Sequence, residues 1–130
     1  MTKALLLLCA LTVTASAARL DIQAGTTGPH FIAQPAVKAR LGQLLGPARL
    51  TRLQKDFQTV STVQNSPRVA AFSGCQAHDC GANDAVVIYD RANDALQVVM
   101  HVKGRKFTYT EKKSFSSKFF NTDLNTLLSN

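Results

Sequence analysis

A chain of 130 residues in which 45% of the side chains are hydrophobic can bury a core, and this composition excludes a disordered polyelectrolyte. Fifteen Lys and Arg against eight Asp and Glu give a formal charge of +7, which by itself points to anionic partners such as nucleic acid, a membrane surface or acidic glycan. No internal repeat or low-complexity tract suggests a solenoid or a fibre.

The first segment reads as an export signal. Lys3 precedes the apolar run Ala4 to Val13, and Ala15-Ser16-Ala17 supplies the small residues that a signal peptidase reads. The run is shorter than the roughly 20 apolar residues a spanning helix needs, and no other stretch approaches that length, so no membrane span is expected. Cys9 lies inside the apolar run and is expected to leave with it. Cleavage after Ala17 divides the chain into a signal peptide, 1–17, and one domain, 18–130. Cys75 and Cys80 then remain alone in a chain addressed to an oxidising compartment, where a single disulfide is the expected state.

Beyond a polar arm ending near Pro35, the residues Val37, Leu41, Leu44 and Leu45 recur at helical spacing, with Pro35 suited to the first turn and Gly46-Pro47 to a stop. A second helical pattern runs through Leu50, Leu53 and Phe57, and places Arg49, Arg52 and Lys55 on a solvated face. Gln64-Asn65-Ser66-Pro67 reads as a loop. From Arg68 the composition turns strand-like, over Val69 to Ser73, Ala85 to Asp90, Ala95 to Val102 and Arg105 to Glu111. The short connectors Arg91 to Asp94 and Lys103-Gly104 predict antiparallel hairpins, because parallel neighbours need long crossovers. The fold class is therefore α+β, an antiparallel sheet of about four to five strands flanked by short helices. In the tail, Phe115, Phe119, Phe120, Leu124, Leu127 and Leu128 suit two short helical segments that add to the core. They do not interleave with basic residues in an RNA-binding pattern.

The chemistry-bearing residues concentrate in Gly74-Cys75-Gln76-Ala77-His78-Asp79-Cys80-Gly81, with Gly74 and Gly81 placed to permit sharp turns. A zinc site would use Cys75, His78 and Cys80 with an aspartate as fourth ligand. It lacks a second ligand pair, since His30 and His101 stand alone in the sequence, and an oxidising compartment favours the disulfide over two thiolates. A redox enzyme places its cysteines as C-x-x-C at a helix start, whereas this spacing is C-x4-C before a strand. A hydrolase needs a partner that the adjacent His78 and Asp79 cannot be for each other, and the only glutamate, Glu111, suggests none. Two readings fit better, a disulfide that only staples a hairpin end or a clamped loop presented to another protein, with a metal-binding loop as a weaker rival and an enzyme left open but unsupported. The stretch from Gly74 to Asp94 carries Asp79, Asp84, Asp90 and Asp94 against Arg91 alone, an acidic segment in a basic chain.

The motif Cys75-Gln76-Ala77-His78-Asp79-Cys80 leading into an apolar strand resembles the loop C-K-P-H-D-C of the inhibitor of vertebrate lysozyme (Ivy) family, with Gln76 and Ala77 where that loop has Lys and Pro. The resemblance implies a periplasmic protein of a Gram-negative bacterium that protects peptidoglycan from c-type lysozyme. It implies no enzymatic activity, no cofactor or metal and no nucleic-acid partner, and it leaves homodimerisation open. It further implies that His78 enters the lysozyme cleft to meet the two catalytic carboxyl groups, with Asp79 bonding beside it, Gln76 and Ala77 in contact, and Cys75 and Cys80 as the clamp. The acidic segment around the loop is then expected to offset repulsion from a cationic enzyme. The rival class is a basic exported module for anionic envelope glycan or nucleic acid, using cations from Lys38 to Lys55 and from Lys103 to Lys118.

Overall fold

Five strands lie in space in the order in which they occur in the chain, each antiparallel to the next: β1 (Thr59–Asn65), β2 (Val69–Cys75), β3 (Asn83–Asp90), β4 (Ala95–Val102) and β5 (Arg105–Thr110). Three helices precede them, α1 (Gly28–Ala33), α2 (Pro35–Leu45) and α3 (Pro47–Asp56). The computed structural model describes residues 19–57 and 59–112. The expected signal peptide and the expected helical tail from Phe115 fall outside them.

The fold class is the expected one, α+β with an antiparallel sheet. Gly46, at φ 77°, separates α2 from α3, so Pro47 opens the second helix as well as ending the first. Two elements have no counterpart in the sequence reading. α1 is only six residues long; Thr27 caps it, its hydroxyl accepting from the His30 N–H at 3.4 Å. β1 extends through Gln64 and Asn65, which pair with Ala71 and Ala70 instead of forming a loop. The turn into β2 is closed by the Ser66 N–H donating to the Val69 carbonyl at 2.9 Å.

Phe72, Val87, Tyr89, Leu96, Val98 and Met100 point from one face of the sheet toward Phe31, Val37, Leu41, Leu45 and Leu53 of the helices. Phe31 stacks on Phe72 with ring centroids 4.4 Å apart. Val69, Ala71, Val86, Ile88 and Val99, on the other face, are buried as well. Burial on both faces explains why Ala85 to Asp90 reads as a continuous apolar run without alternation. β5 is one edge of the sheet, and the exposed Arg105 and Lys106 on it discourage further strand addition.

Arg40 joins α2 to the far end of the sheet. Its guanidinium donates to Asp94 Oδ1 at 2.8 Å, to the Asp94 carbonyl at 2.9 Å, and to both carboxylate oxygens of Glu111 at 3.0 and 2.6 Å. Tyr89 donates its hydroxyl to Asp94 at 2.8 Å, and Glu111 also accepts from the Leu96 N–H at 2.7 Å. Burial works against ionisation of Asp94, but the bonds from Arg40 and Tyr89 outweigh it and hold the carboxyl below its ordinary 3.8. A carboxyl depressed in the folded state stabilises above its unfolded pKa and loses that contribution as pH falls through the folded value. The Arg40→Met variant should therefore lose about 2 kcal/mol at neutral pH, discounted for partial exposure. The gap to the parent should close as acid protonates Asp94 below about pH 4, as read by urea denaturation across pH.

Candidate functional site

The cysteine-flanked motif forms the connection from β2 to β3. The ladder continues one residue past β2, where the Gln76 N–H donates to the Asn83 carbonyl at 2.9 Å. The Asp79 N–H then donates to the Gln76 carbonyl at 3.0 Å, closing a four-residue turn with Ala77 and His78 at its corners. His78 has φ 66°, the left-handed conformation that a type II turn takes at its third position, at a cost on the order of 1 kcal/mol for a residue with a side chain. Cys75 and Cys80 are joined by a disulfide with Cα atoms 5.1 Å apart, the former buried at the strand end and the latter exposed. Residues 77–81 are all exposed.

Asn83 ties this turn to the body. Its backbone N–H donates to the Asp79 carbonyl at 3.0 Å and its side-chain amide donates to the Asp79 carboxylate. Its side-chain oxygen accepts from the Arg52 guanidinium and from the Lys103 N–H at 3.1 Å. Arg52 in turn holds the fully buried Asp56 at 3.2 Å. Burial pushes the Asp56 carboxyl up, and Arg52 pulls in the opposite direction. Arg52 is therefore not simply part of a solvated helix face: it links α3 to the base of the turn. Neither Asn83 nor Arg52 was recognisable from sequence, because Asn83 reads as one more turn residue and their meeting depends on tertiary packing.

Three expectations change here. Gly74 does not make a turn; it lies within β2, paired with Ala85, and a Cβ there would come within 2.9 Å of the Asp56 carbonyl oxygen and 3.0 Å of Phe57 Cα. Its role is to let the end of α3 approach the strand, whereas Gly81, at φ 95°, does serve the turn. His101 is not alone: its Nδ1 lies 2.6 Å from Asp84 Oδ1 in a buried pair across β3 and β4, with Nε2 buried and unpartnered. The acidic segment is not an acidic surface. Asp84 faces His101, Asp90 caps the turn after β3 by accepting from the Ala92 and Asn93 N–H groups, and Asp94 belongs to Arg40. Asp90 and Asp94 also lie at the opposite end of an eight-residue strand, about 25 Å from the turn. Of the four aspartates, Asp79 alone is exposed beside His78.

Both sulfurs of the motif are consumed by the disulfide and are not thiolate ligands. Among the described residues no group of three His, Cys, Asp or Glu is arranged to hold a metal ion. The structure brings His78 and Asp79 onto one exposed turn, with Gln76 and Ala77 on its approach and Cys75 and Cys80 across its base.

An antiparallel meander backed by helices and carrying a clamped, histidine-bearing turn defines a small α+β domain that presents a loop at one end of its sheet. The profile of the family described as inhibitor of vertebrate lysozyme (Ivy) matches residues 36–130, from the start of α2 through the turn and all the later strands, and the chain belongs to that family. Family membership implies lysozyme inhibition as the general activity. No curated protein and no solved structure matched the chain.

Two substitutions test the supports of the turn. Asn83→Ala should cost about 1–3 kcal/mol, since it leaves the Lys103 N–H and the Arg52 guanidinium short of an acceptor, and it should raise amide exchange at residues 77–81. Gly74→Ala should cost a comparable amount, roughly 1–3 kcal/mol by overpacking against the end of α3, read as a lower urea midpoint at unchanged slope.

Proposed function

We propose that this chain is an exported, periplasmic inhibitor of c-type lysozyme, shortened by removal of residues 1–17, that acts by seating the turn Gln76 to Cys80 in the enzyme's catalytic cleft. The observation that carries this reading is His78. It stands exposed at the corner of a disulfide-closed turn, and no group among the described residues bonds to its imidazole. Membership of the lysozyme-inhibitor family supports the choice of target.

The cleft of such a lysozyme holds one protonated carboxylic acid close to one ionised carboxylate. A neutral imidazole accepts from the first and donates to the second; an imidazolium donates to both. Either way His78 occupies the catalytic groups and offers no glycosidic bond to cleave, so peptidoglycan is spared. Asp79 keeps one carboxylate oxygen on Asn83 and turns the other toward N–H donors on the rim of the cleft. Gln76 and Ala77 complete the contacting surface. The disulfide and the hydrogen bonds to Asn83 hold the histidine in its bound geometry beforehand, and a side chain already ordered loses less entropy on binding. The mechanism is occlusion and requires no cofactor.

In a cell-wall lysis assay, the mature protein should inhibit c-type lysozyme. His78→Ala should weaken inhibition by about thirtyfold or more, as expected for a central anchor, and reducing the disulfide should weaken it by about tenfold. Absence of inhibition by the parent protein would overturn the reading, and inhibition unchanged in His78→Ala would overturn the role of the turn. The mass of the protein recovered from a periplasmic extract should correspond to residues 18–130.

A further inference from the structure

At the end of the sheet opposite the clamped turn, the β1–β2 turn, the β3–β4 turn and the segment that leads toward α1 border an open cavity of about 300 Å³. Arg19, Arg68 and Arg91 line it together with Leu20, Pro67 and Tyr89, and among the described residues no acidic side chain does. Three of the chain's seven arginines thus meet in one concavity. Arg91 is already fixed there: its guanidinium donates to the Ser66 carbonyl at 3.0 Å and to Asn65 Oδ1 at 2.6 Å, which leaves further N–H donors for a ligand. Two carboxylates at this end of the sheet are engaged elsewhere. Asp90 accepts from the β3–β4 turn, with its Oδ2 taking the Asn93 side-chain amide at 2.6 Å, and leaves the sheet on the face opposite to Tyr89. Asp94 is held by Arg40 and by the Tyr89 hydroxyl.

Such a site has a definite chemical preference. Guanidinium groups match phosphate and carboxylate oxygens in two-pronged hydrogen bonds. A phosphate group presents enough oxygens to engage three of them at once, which a single planar carboxylate does not. A cavity of this size has room for about ten waters, more than a bare phosphate fills, and the walls made by Leu20, Pro67 and Tyr89 suit the organic portion that carries the anion. We propose that this cavity binds a phosphate group, either free or as part of a lipid headgroup. Its distance from His78, about 25 Å along β3, leaves the turn free to act at the same time.

The test is a titration of the mature protein with inorganic phosphate, followed by amide chemical shifts, against sodium chloride at matched ionic strength. Saturable shifts confined to Leu20, Arg68 and residues 91–92 are expected. The double substitution Arg19→Gln with Arg68→Gln should weaken phosphate binding by about tenfold or more, the loss expected when charge-assisted hydrogen bonds are removed. It should leave the lysozyme inhibition constant unchanged, so failure of this site and failure of the proposed inhibition are read separately. Co-sedimentation with phosphatidylglycerol vesicles but not phosphatidylcholine vesicles, lost in the double variant, would assign a lipid headgroup. Phosphate binding without vesicle binding would assign a soluble phosphate. Shifts no different from those in chloride, or phosphate binding unaltered in the double variant, would overturn the proposal.

Discussion

The exposed turn depends on one buried amide. Asn83 is the first residue of β3, and its backbone closes both the last rung of the β2–β3 ladder, toward Gln76, and the return from Asp79. Its side chain donates to the Asp79 carboxylate on one side and accepts from Arg52 and the Lys103 N–H on the other. An amide is suited to this position because it is both donor and acceptor; a carboxylate would repel Asp79, and an apolar residue would strand three partners. Through Arg52 the same network reaches Asp56 at the end of α3, where Gly74 allows the helix and strand to touch. The orientation of the turn is thereby set by the packing of helix on sheet, not only by the disulfide.

The distribution of charge follows a second constraint. Most acids of this basic chain are spent inside it: Asp94 and Glu111 on Arg40, Asp56 on Arg52, Asp84 against His101, Asp90 on a turn. Among the described residues few acids are thus left for the outer surface, and at the proposed docking end Asp79 is the exposed acid beside His78. Attraction between net charges therefore contributes little to meeting a cationic lysozyme. In the proposed docking, recognition would rest on short-range complementarity to the carboxyl groups in the cleft, while the arginine-lined cavity sits at the far end, where its charge is least felt at that contact.

Much of the frame was legible in the sequence because it follows from local periodicity. β4 occupies Ala95–Val102 as its alternating and apolar residues indicate, and α2 runs from Pro35 to the residue before Gly46. The Cys75–Cys80 bond is the one expected if an export signal takes Cys9 away and leaves these two cysteines in an oxidising compartment. What escaped was set by contacts distant in sequence. β1 contains Ser, Thr and Gln and gains strand structure by pairing with β2, and α1 is too short to show helical periodicity. His101 and Asp84 are 17 residues apart and meet only because the β3–β4 register places them opposite each other. The same register carries Asp90 and Asp94 away from the turn, which is why counting acids along the chain misjudged the charge near His78.

The departures at Gln76 and Ala77 gain a physical meaning from this geometry. Ala77 occupies the second position of the four-residue turn, where a proline would fix φ near −65° and favour the corner before any other contact formed. With alanine, that preference is weaker, and His78 must still be kept in a left-handed conformation that a side-chain-bearing residue disfavours. The order of the turn then leans more heavily on its other restraints, among them the covalent bond at its base and the hydrogen bonds that Asn83 makes to Asp79. These restraints are not equivalent. The disulfide limits how far the ends separate but leaves the corner dihedrals free, whereas the bonds from Asn83 act on Asp79, the residue next to His78, and so bear on the direction of the imidazole itself.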